Sequence, residues 1–239
     1  MNSDKLSNRL GTVADYVPGD ARMADIGSDH AYLPCYLVKT KGIPFAVAGE
    51  VAEGPFRSAQ RNVAAEGLTK IISVRLGDGL EVIEPGEVDC ITIAGMGGAL
   101  ITSILETGKE KLDSVTRLVL QPNISAETIR KWLLENHWEL MEEEILEEDG
   151  KIYEVLVAER GDGLRPYRQN KELGLLMGPY LRKNPSNAFR KKWTAEISNW
   201  QRILEQLGKA VQTPETIEKQ KELAYKIQLV KEELKDENA

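Results

Sequence analysis

Cysteine, long apolar runs and an apolar leader are what this sequence does without. It has two cysteines, Cys35 and Cys90, too few for a disulfide framework or a cysteine-rich metal cluster. Each reads instead as a small buried hydrophobe, and no metal site is expected. No run of about eighteen apolar residues occurs, so no spanning helix is expected. The opening residues, MNSDKLSNRL, are polar and lack the apolar stretch of a signal peptide. A cytoplasmic location is the expectation. What is present is 239 residues, 41% hydrophobic and 29% charged, enough for one sizeable core and a further element.

The net charge of −7 argues against a polyanionic partner until its distribution is read. Residues 1–159 carry −12 and residues 160–239 carry +5. Between 165 and 192, eight basic residues (Arg165, Arg168, Lys171, Arg182, Lys183, Arg190, Lys191 and Lys192) face one acid, Glu172. A positive block on an acidic body points to an anionic partner, although a solvated charged face gives the same count.

The first 160 residues alternate short apolar runs with longer helical patterns, which predicts an α/β domain with a mainly parallel sheet. Strands are expected at about 22–27, 45–50, 71–76, 88–94 and 116–121. Helices fall at 54–66, 98–107 and 125–137, the last with Ser125 as N-cap and Glu127 in its first turn. Residues 138–147 and 151–159 then read as two strands around Asp149-Gly150, a tight hairpin that brings the strand total to seven. After Gly161 no strand pattern appears. Trp193, Ile197, Trp200, Leu204 and Leu207 step by four and three, as do Leu223, Ile227, Val230 and Leu234. Gly208 is expected to end the first helix and Thr213-Pro214 to begin the second. The two should fold back as an antiparallel coiled coil. Domain boundaries follow at 1–160 and 161–239.

In such a sheet, ligands sit beyond the carboxyl ends of the strands. The first strand ends in Asp25-Ile26-Gly27-Ser28-Asp29-His30-Ala31, where a glycine permits a tight turn and a carboxylate can orient the loop or meet a cation. The second ends in Glu50, where an acid can accept from both hydroxyls of a nucleotide ribose. The third runs into Gly77-Asp78-Gly79, an acid placed to take an adenine amino group. The fourth ends in Ala94-Gly95-Met96-Gly97-Gly98, a loop with almost no side chains, open to a bulky ligand. The fifth ends in Gln121-Pro122-Asn123, whose terminal amide suits a base edge. Each alone is ordinary turn chemistry; the coincidence of five is the signal.

With these residues assembled, the chain resembles a class I S-adenosylmethionine-dependent methyltransferase. More narrowly, ADIGSDHAYLP (24–34), AGMGG (94–98), LQPN (120–123) and the paired C-terminal helices resemble the bacterial tRNA (adenine-22-N1)-methyltransferase family. The first loop departs from D-x-G-x-G-x-G, with Asp29 and Ala31 at later glycine positions. The resemblance implies a Rossmann-like seven-stranded domain followed by an all-α coiled-coil domain, with S-adenosyl-L-methionine as cofactor and tRNA as partner. It implies that Asp25, Gly27, Ser28, Asp29 and His30 bound the methionine part of the cofactor. Glu50 would hold the ribose, Asp78 and Gly79 the adenine, and Gly95, Met96 and Gly97 the wall nearest the methyl. Asp29 and Asn123 are the catalytic candidates, for charge stabilisation and base orientation. The basic block and Arg9 would meet RNA phosphates, Arg9 alternatively the cofactor.

His30 is expected to make a structural hydrogen bond near the cofactor. His137 should be a cation near a helix end, and Trp193 and Trp200 seam residues. Two alternatives stand: a methyltransferase for another RNA base or a small molecule, and a non-catalytic RNA-binding protein with this fold. A monomer is expected, with dimerisation through the seam as its alternative.

Overall fold

A computed structural model describes residues 2–236. The strands are β1 (Arg22–Ile26), β2 (Phe45–Glu50), β3 (Ile72–Leu76), β4 (Cys90–Gly97), β5 (Arg117–Ile124), β6 (Trp138–Glu148) and β7 (Lys151–Arg160). They form one sheet in the order β3-β2-β1-β4-β5-β7-β6. The first five are parallel, and β7 runs antiparallel between β5 and β6. The chain reverses its winding between β1 and β4, the place where a ligand crevice opens in a doubly wound sheet.

Alternation along each strand divides the core into two layers. Ala24, Val47, Ile91, Leu118 and Leu156 pack beneath α4 (Gly98–Thr107) and α5 (Ala126–Glu135). Met23, Ala46, Cys90, Val119 and Val157 pack beneath α1 (Asn8–Asp15), α2 (Tyr32–Lys41) and α3 (Glu53–Ala65). Both cysteines are buried and unbridged.

The strands match the sequence reading closely, with two informative exceptions. Strands β4 and β5 do not stop where the glycines begin. Their pairing continues through Met96↔Pro122 and Gly97↔Ile124, with irregularities on either side of Met96. AGMG and QPN, read as loops, are therefore the bulged ends of a strand pair. Gly95 supplies the bulge with a φ of +79°. Ser125 precedes α5 as expected but sits at φ 61°, ψ 44°, and its hydroxyl caps nothing.

The C-terminal region is all helical: α6 (Lys171–Met177), α7 (Asn187–Lys209) and α8 (Pro214–Asp236). Helix α7 continues through Gly208 to Lys209, so that glycine is not its stop. The Thr213 hydroxyl accepts from the Thr216 N–H at 3.2 Å, capping α8 as expected. Phe189, Trp193 and Ile197 on α7 meet Ile227 and Val230 on α8, with Trp200, Leu204 and Leu234 at the margin. The same cluster includes Leu173, Leu176 and Met177 of α6. The first half of α7 is thus shared between α8 and the rest of the protein. Among the described residues no helix is long and apolar enough to cross a membrane, and no group of three or more metal-ligating side chains is positioned for a metal ion.

Candidate functional site

Register places Asp25 between Ala48 of β2 and Thr92 of β4. Its carboxylate is buried and accepts from the Ser28 hydroxyl at 2.6 Å and the Thr92 hydroxyl at 2.7 Å. Burial raises its pKa above the usual aspartate value, and the two hydroxyls oppose that shift. Asp25 is thereby a brace for the loop that follows it. Thr92 was invisible to sequence reasoning, since it lies 67 positions away and only the β1–β4 register brings it close.

The loop itself is strained. Gly27 turns at φ +71°, and Asp29, His30 and Ala31 follow at +42°, +69° and +57°. The sequence lacks the later glycines of the general pattern, yet its backbone is left-handed at both of those positions, Asp29 and Ala31. For residues with a Cβ this costs roughly 1 kcal/mol apiece, and such strain gathers at functional sites. The surroundings hold it in place. The N–H groups of Gly27 and Ser28 donate to the Gly49 carbonyl at 3.0 and 3.1 Å, and the Asn62 amide donates to the His30 carbonyl at 2.9 Å. The His30 ring stacks on Tyr32 with centroids 5.3 Å apart. Its Nε2 lies 3.5 Å from Oδ1 of Asp29, an exposed carboxylate.

Glu50 ends β2 beside this loop. It is 6% exposed, and its Oε1 is buried with no hydrogen-bond partner. Burial raises its pKa, and the Asp29 backbone N–H bonded to the carboxylate partly counters the rise. A buried acceptor without a donor is costly, and it belongs to the residue from which a ribose contact is expected. Asp78 lies further along the same edge, exposed, its N–H donating to the Glu81 carboxylate at 3.1 Å. Gly79 follows at φ +52° against Ile104.

Opposite stand the ends of β4 and β5. Met96 reaches across so that a Cβ on Gly27 would lie 2.3 Å from its methyl, a contact a flexible thioether can yield. Gly98 is different: a Cβ there would meet the Ser125 carbonyl oxygen at 2.2 Å. The last glycine of AGMGG therefore serves the packing of α4 on α5, and is not open to a ligand as the sequence suggested. Asn123 donates from Nδ2 to the Gly95 carbonyl at 2.7 Å. Gln121, which sequence reasoning quoted but gave no role, is fully buried beneath both. Its Oε1 accepts from the Gly95 N–H at 2.9 Å and from Arg9, and its Nε2 donates to the Pro122 carbonyl at 2.9 Å. Asn123 also borders a cleft of about 500 Å³ that continues past Ile124 to Trp193, Trp200 and Lys226.

The structure divides the expected RNA-binding set. Lys171 and Lys183 are exposed, Lys183 with its ammonium 5.0 Å from the Tyr180 ring. Arg165, Arg168 and Lys191 are exposed but pair with Glu139, Asp162 and Glu147 at 3.1, 2.9 and 2.6 Å. Arg190 is half-buried. Arg182 is largely covered and pairs with Glu233, and Lys192 pairs with the buried Glu154. These last two are engaged by acids that only the fold brings near, which sets them apart from the exposed members of the block. Arg9 turns inward to Gln121 and over the Tyr153 ring at 5.3 Å. His137 lies past the end of α5 at φ +59°, and Trp193 and Trp200 pack against each other as expected, with centroids 6.1 Å apart.

A family model described as tRNA (adenine(22)-N(1))-methyltransferase matches residues 23–232. The chain belongs to this family. A Bacillus subtilis protein named tRNA (adenine(22)-N(1))-methyltransferase is 56% identical over 97% of this chain and 98% of its own. The crystal structure of the B. subtilis M1A22 tRNA methyltransferase TrmK superposes with a TM-score of 0.92 at 54% identity, covering 96% of this chain and 99% of that one. A Streptococcus pneumoniae relative, described as a putative tRNA (m1A22) methyltransferase in complex with S-adenosyl-L-methionine, gives 0.79 at 43% identity over 96% of this chain and 100% of its own. The likeness covers 96% of this chain in both structures, and so extends over the sheet and the helical region alike.

Proposed function

We propose that this chain methylates N1 of adenine 22 in tRNA, with S-adenosyl-L-methionine held along the carboxyl edge of β1, β2 and β4. The observation that carries the cofactor assignment is the buried Oε1 of Glu50, which lacks a donor in the protein. A ribose hydroxyl supplies one, while the Asp29 N–H holds the other carboxylate oxygen in place. Asp25, Gly27, Ser28, Asp29 and His30 form the strained loop around the methionine part, braced through Thr92. Asp78 and Gly79 flank the adenine, and Gly95, Met96 and Gly97 wall the methyl side.

When bound, the cofactor supplies a sulfonium-borne methyl, an electrophile that needs no further activation. Adenine N1 already carries an in-plane lone pair, so the protein's task is to set it in line with that methyl, and proximity accounts for most of the rate. Asn123, held at the rim of the cleft, orients the base. Asp29 places negative charge where the ring becomes cationic and accepts the amino proton if one is released. N1 is hidden in folded RNA, so the nucleotide is extruded into the pocket. We assign residues 1–160 to catalysis and 161–239 to gripping the tRNA body, chiefly through Lys171, Lys183, Arg165, Arg168 and Lys191. The exposed salt bridges of Arg168 and Lys191 are weak enough to exchange for phosphates.

The test is methyl transfer from labelled S-adenosyl-L-methionine to unmodified tRNA transcripts, with the product nucleoside identified by mass spectrometry. N1-methyladenosine that disappears when adenine 22 is replaced is the expected result. Label in another nucleoside would overturn the acceptor, and no label with cofactor binding intact would overturn the RNA reading.

A further inference from the structure

Arg9 lies on α1, before residue 23 where the family match begins. Its backbone position is fixed twice. Ser7 caps α1 by accepting from the Leu10 N–H at 3.2 Å, and the Glu148 carboxylate accepts from the N–H groups of Asn8 and Arg9 at 2.6 and 3.3 Å. Leu10, Val13 and Ala14 bury the other face of the helix. The guanidinium projects past Tyr153 to the β4–β5 ends, where a Cβ on Gly95 would lie 3.5 Å from its Nη1.

There it completes a closed set of bonds. The Gln121 amide has two acceptor and two donor positions, and all four are filled. Oε1 takes the Gly95 N–H and Arg9; Nε2 gives to the Pro122 carbonyl and, at 3.4 Å, to Asn123 Oδ1. Asn123 in turn gives Nδ2 to the Gly95 carbonyl. A guanidinium carries donors only, so it admits one orientation of the Gln121 amide, the one that leaves Nε2 toward Asn123. Gln121 is fully buried with Arg9 in place, so losing that partner leaves its amide without the donor that fixes its orientation.

We propose that Arg9 is a positioning residue for methyl transfer: it clamps Gln121, and through Gln121 fixes the Asn123 amide and the Gly95 turn against which the adenine is aligned. This rests on the reading that Asn123 faces the base. It replaces a phosphate or cofactor contact for Arg9 with a role inside the protein.

The test uses the full-length protein with saturating S-adenosyl-L-methionine and an unmodified tRNA transcript. Arg9→Ala is expected to lower kcat roughly ten- to a hundredfold, the scale of a small misplacement of reacting groups. KM for tRNA, its salt dependence and cofactor affinity by calorimetry should be unchanged, and Arg9→Lys, which keeps a donor-only cation, should recover part of the loss. Gln121→Met breaks the same chain from its other end at similar volume and should give the same kcat-only signature, which guards against a folding defect peculiar to Arg9. A rise in KM with a shallower salt dependence would overturn the proposal in favour of a phosphate contact. Weaker cofactor binding, or no change at all, would also overturn it. Combining Arg9→Ala with Asn123→Ala separates the two readings. Losses that fail to add support the link; losses that add refute the Arg9 link alone. An Asn123→Ala variant with unchanged kcat refutes the base-orienting reading instead.

Discussion

Two regions of this protein bury carboxylates, and they treat them in opposite ways. At the joint between the sheet and the helical region, Arg130 of α5 is fully buried between Glu143 of β6 and Glu154 of β7, at 2.6 and 2.8 Å. It also donates to the Leu175 and Leu176 carbonyls of α6, while Lys192 of α7 closes on Glu154 and the Tyr180 N–H donates to Glu143. Burial opposes the Arg130 charge, and the two glutamates outweigh it. Burial also opposes both glutamates. It prevails at Glu143, which has one cation, and loses at Glu154, which has two. At the strand edge, by contrast, Glu50 is buried with one oxygen unpartnered beside a run of left-handed residues. At the joint every buried charge is paired, and among the described residues the atoms left without a partner there are the neutral Tyr167 hydroxyl and Trp193 indole N–H; at the edge the unpartnered atom is a carboxylate oxygen. Paired charges fix two parts of a fold relative to each other, whereas an unpartnered carboxylate oxygen carries the larger desolvation cost and is the one a ligand hydroxyl would relieve.

The sharpest way to break this contrast is at the joint. Arg130→Met leaves Glu143 with a backbone N–H as its remaining bond, and removing one partner of a buried pair costs about 3–5 kcal/mol. Urea denaturation should show that loss near neutral pH. The sign with pH follows from Glu143, whose pKa is already raised in the fold and rises further without Arg130. Its charge is penalised above the ordinary glutamate value, so the deficit should shrink as pH falls and the carboxyl takes up a proton. A deficit independent of pH would mean that the cluster is not the electrostatic joint described here. Cofactor affinity should change little in the same variant.

At the edge the signs should reverse. Burial holds the Glu50 pKa above its usual value, so its ionised form destabilises the fold at pH values above the ordinary glutamate range, and that penalty is relieved on acidification. Glu50→Gln removes the penalty and should raise the melting temperature by up to a few degrees, as about 1 kcal/mol does in a chain of this size. It should also weaken cofactor binding about tenfold, the equivalent of one good hydrogen bond. In the parent protein, affinity should decline on acidification as Glu50 protonates, and the variant should lose that dependence. Stability rising while affinity falls is the signature of a site kept for function; both falling together would return Glu50 to the structural acids.

The contrast also explains what was legible in the sequence. Strand alternation, the Asp149-Gly150 turn and the heptad steps are local patterns, and they yielded the seven strands and the two long helices. The site loops were legible as positions because all lie at the same ends of parallel strands. Partnerships were not. Thr92 meets Asp25, Arg9 meets Gln121 and Lys192 meets Glu154 through register and packing between residues 67, 112 and 38 positions apart. Arg130, Glu143 and Glu154 are written as if they were surface charges on a helix and a hairpin, and nothing in their neighbours' sequence marks them as buried. Gly98 misled for a related reason: a glycine beneath another backbone and a glycine beneath a ligand look alike until Ser125 is seen above it.

The smallest effects test the basic block, where the same distinction between bonded and open charge recurs. Lys171 and Lys183 stand exposed, whereas Arg182 and Lys192 are enclosed in ion pairs. Neutralising Lys171 and Lys183 together should raise KM for tRNA several-fold with kcat unchanged, and should reduce the slope of log affinity against log salt by roughly one per lost phosphate contact. Lys192→Ala should instead leave the salt slope unchanged and lower stability, because its partner Glu154 loses one of the two cations that offset its burial. Equal salt slopes for all three proteins would mean that the tRNA is gripped elsewhere on the helical region. Equal stabilities for the parent and Lys192→Ala would place Lys192 back among the cations available to RNA.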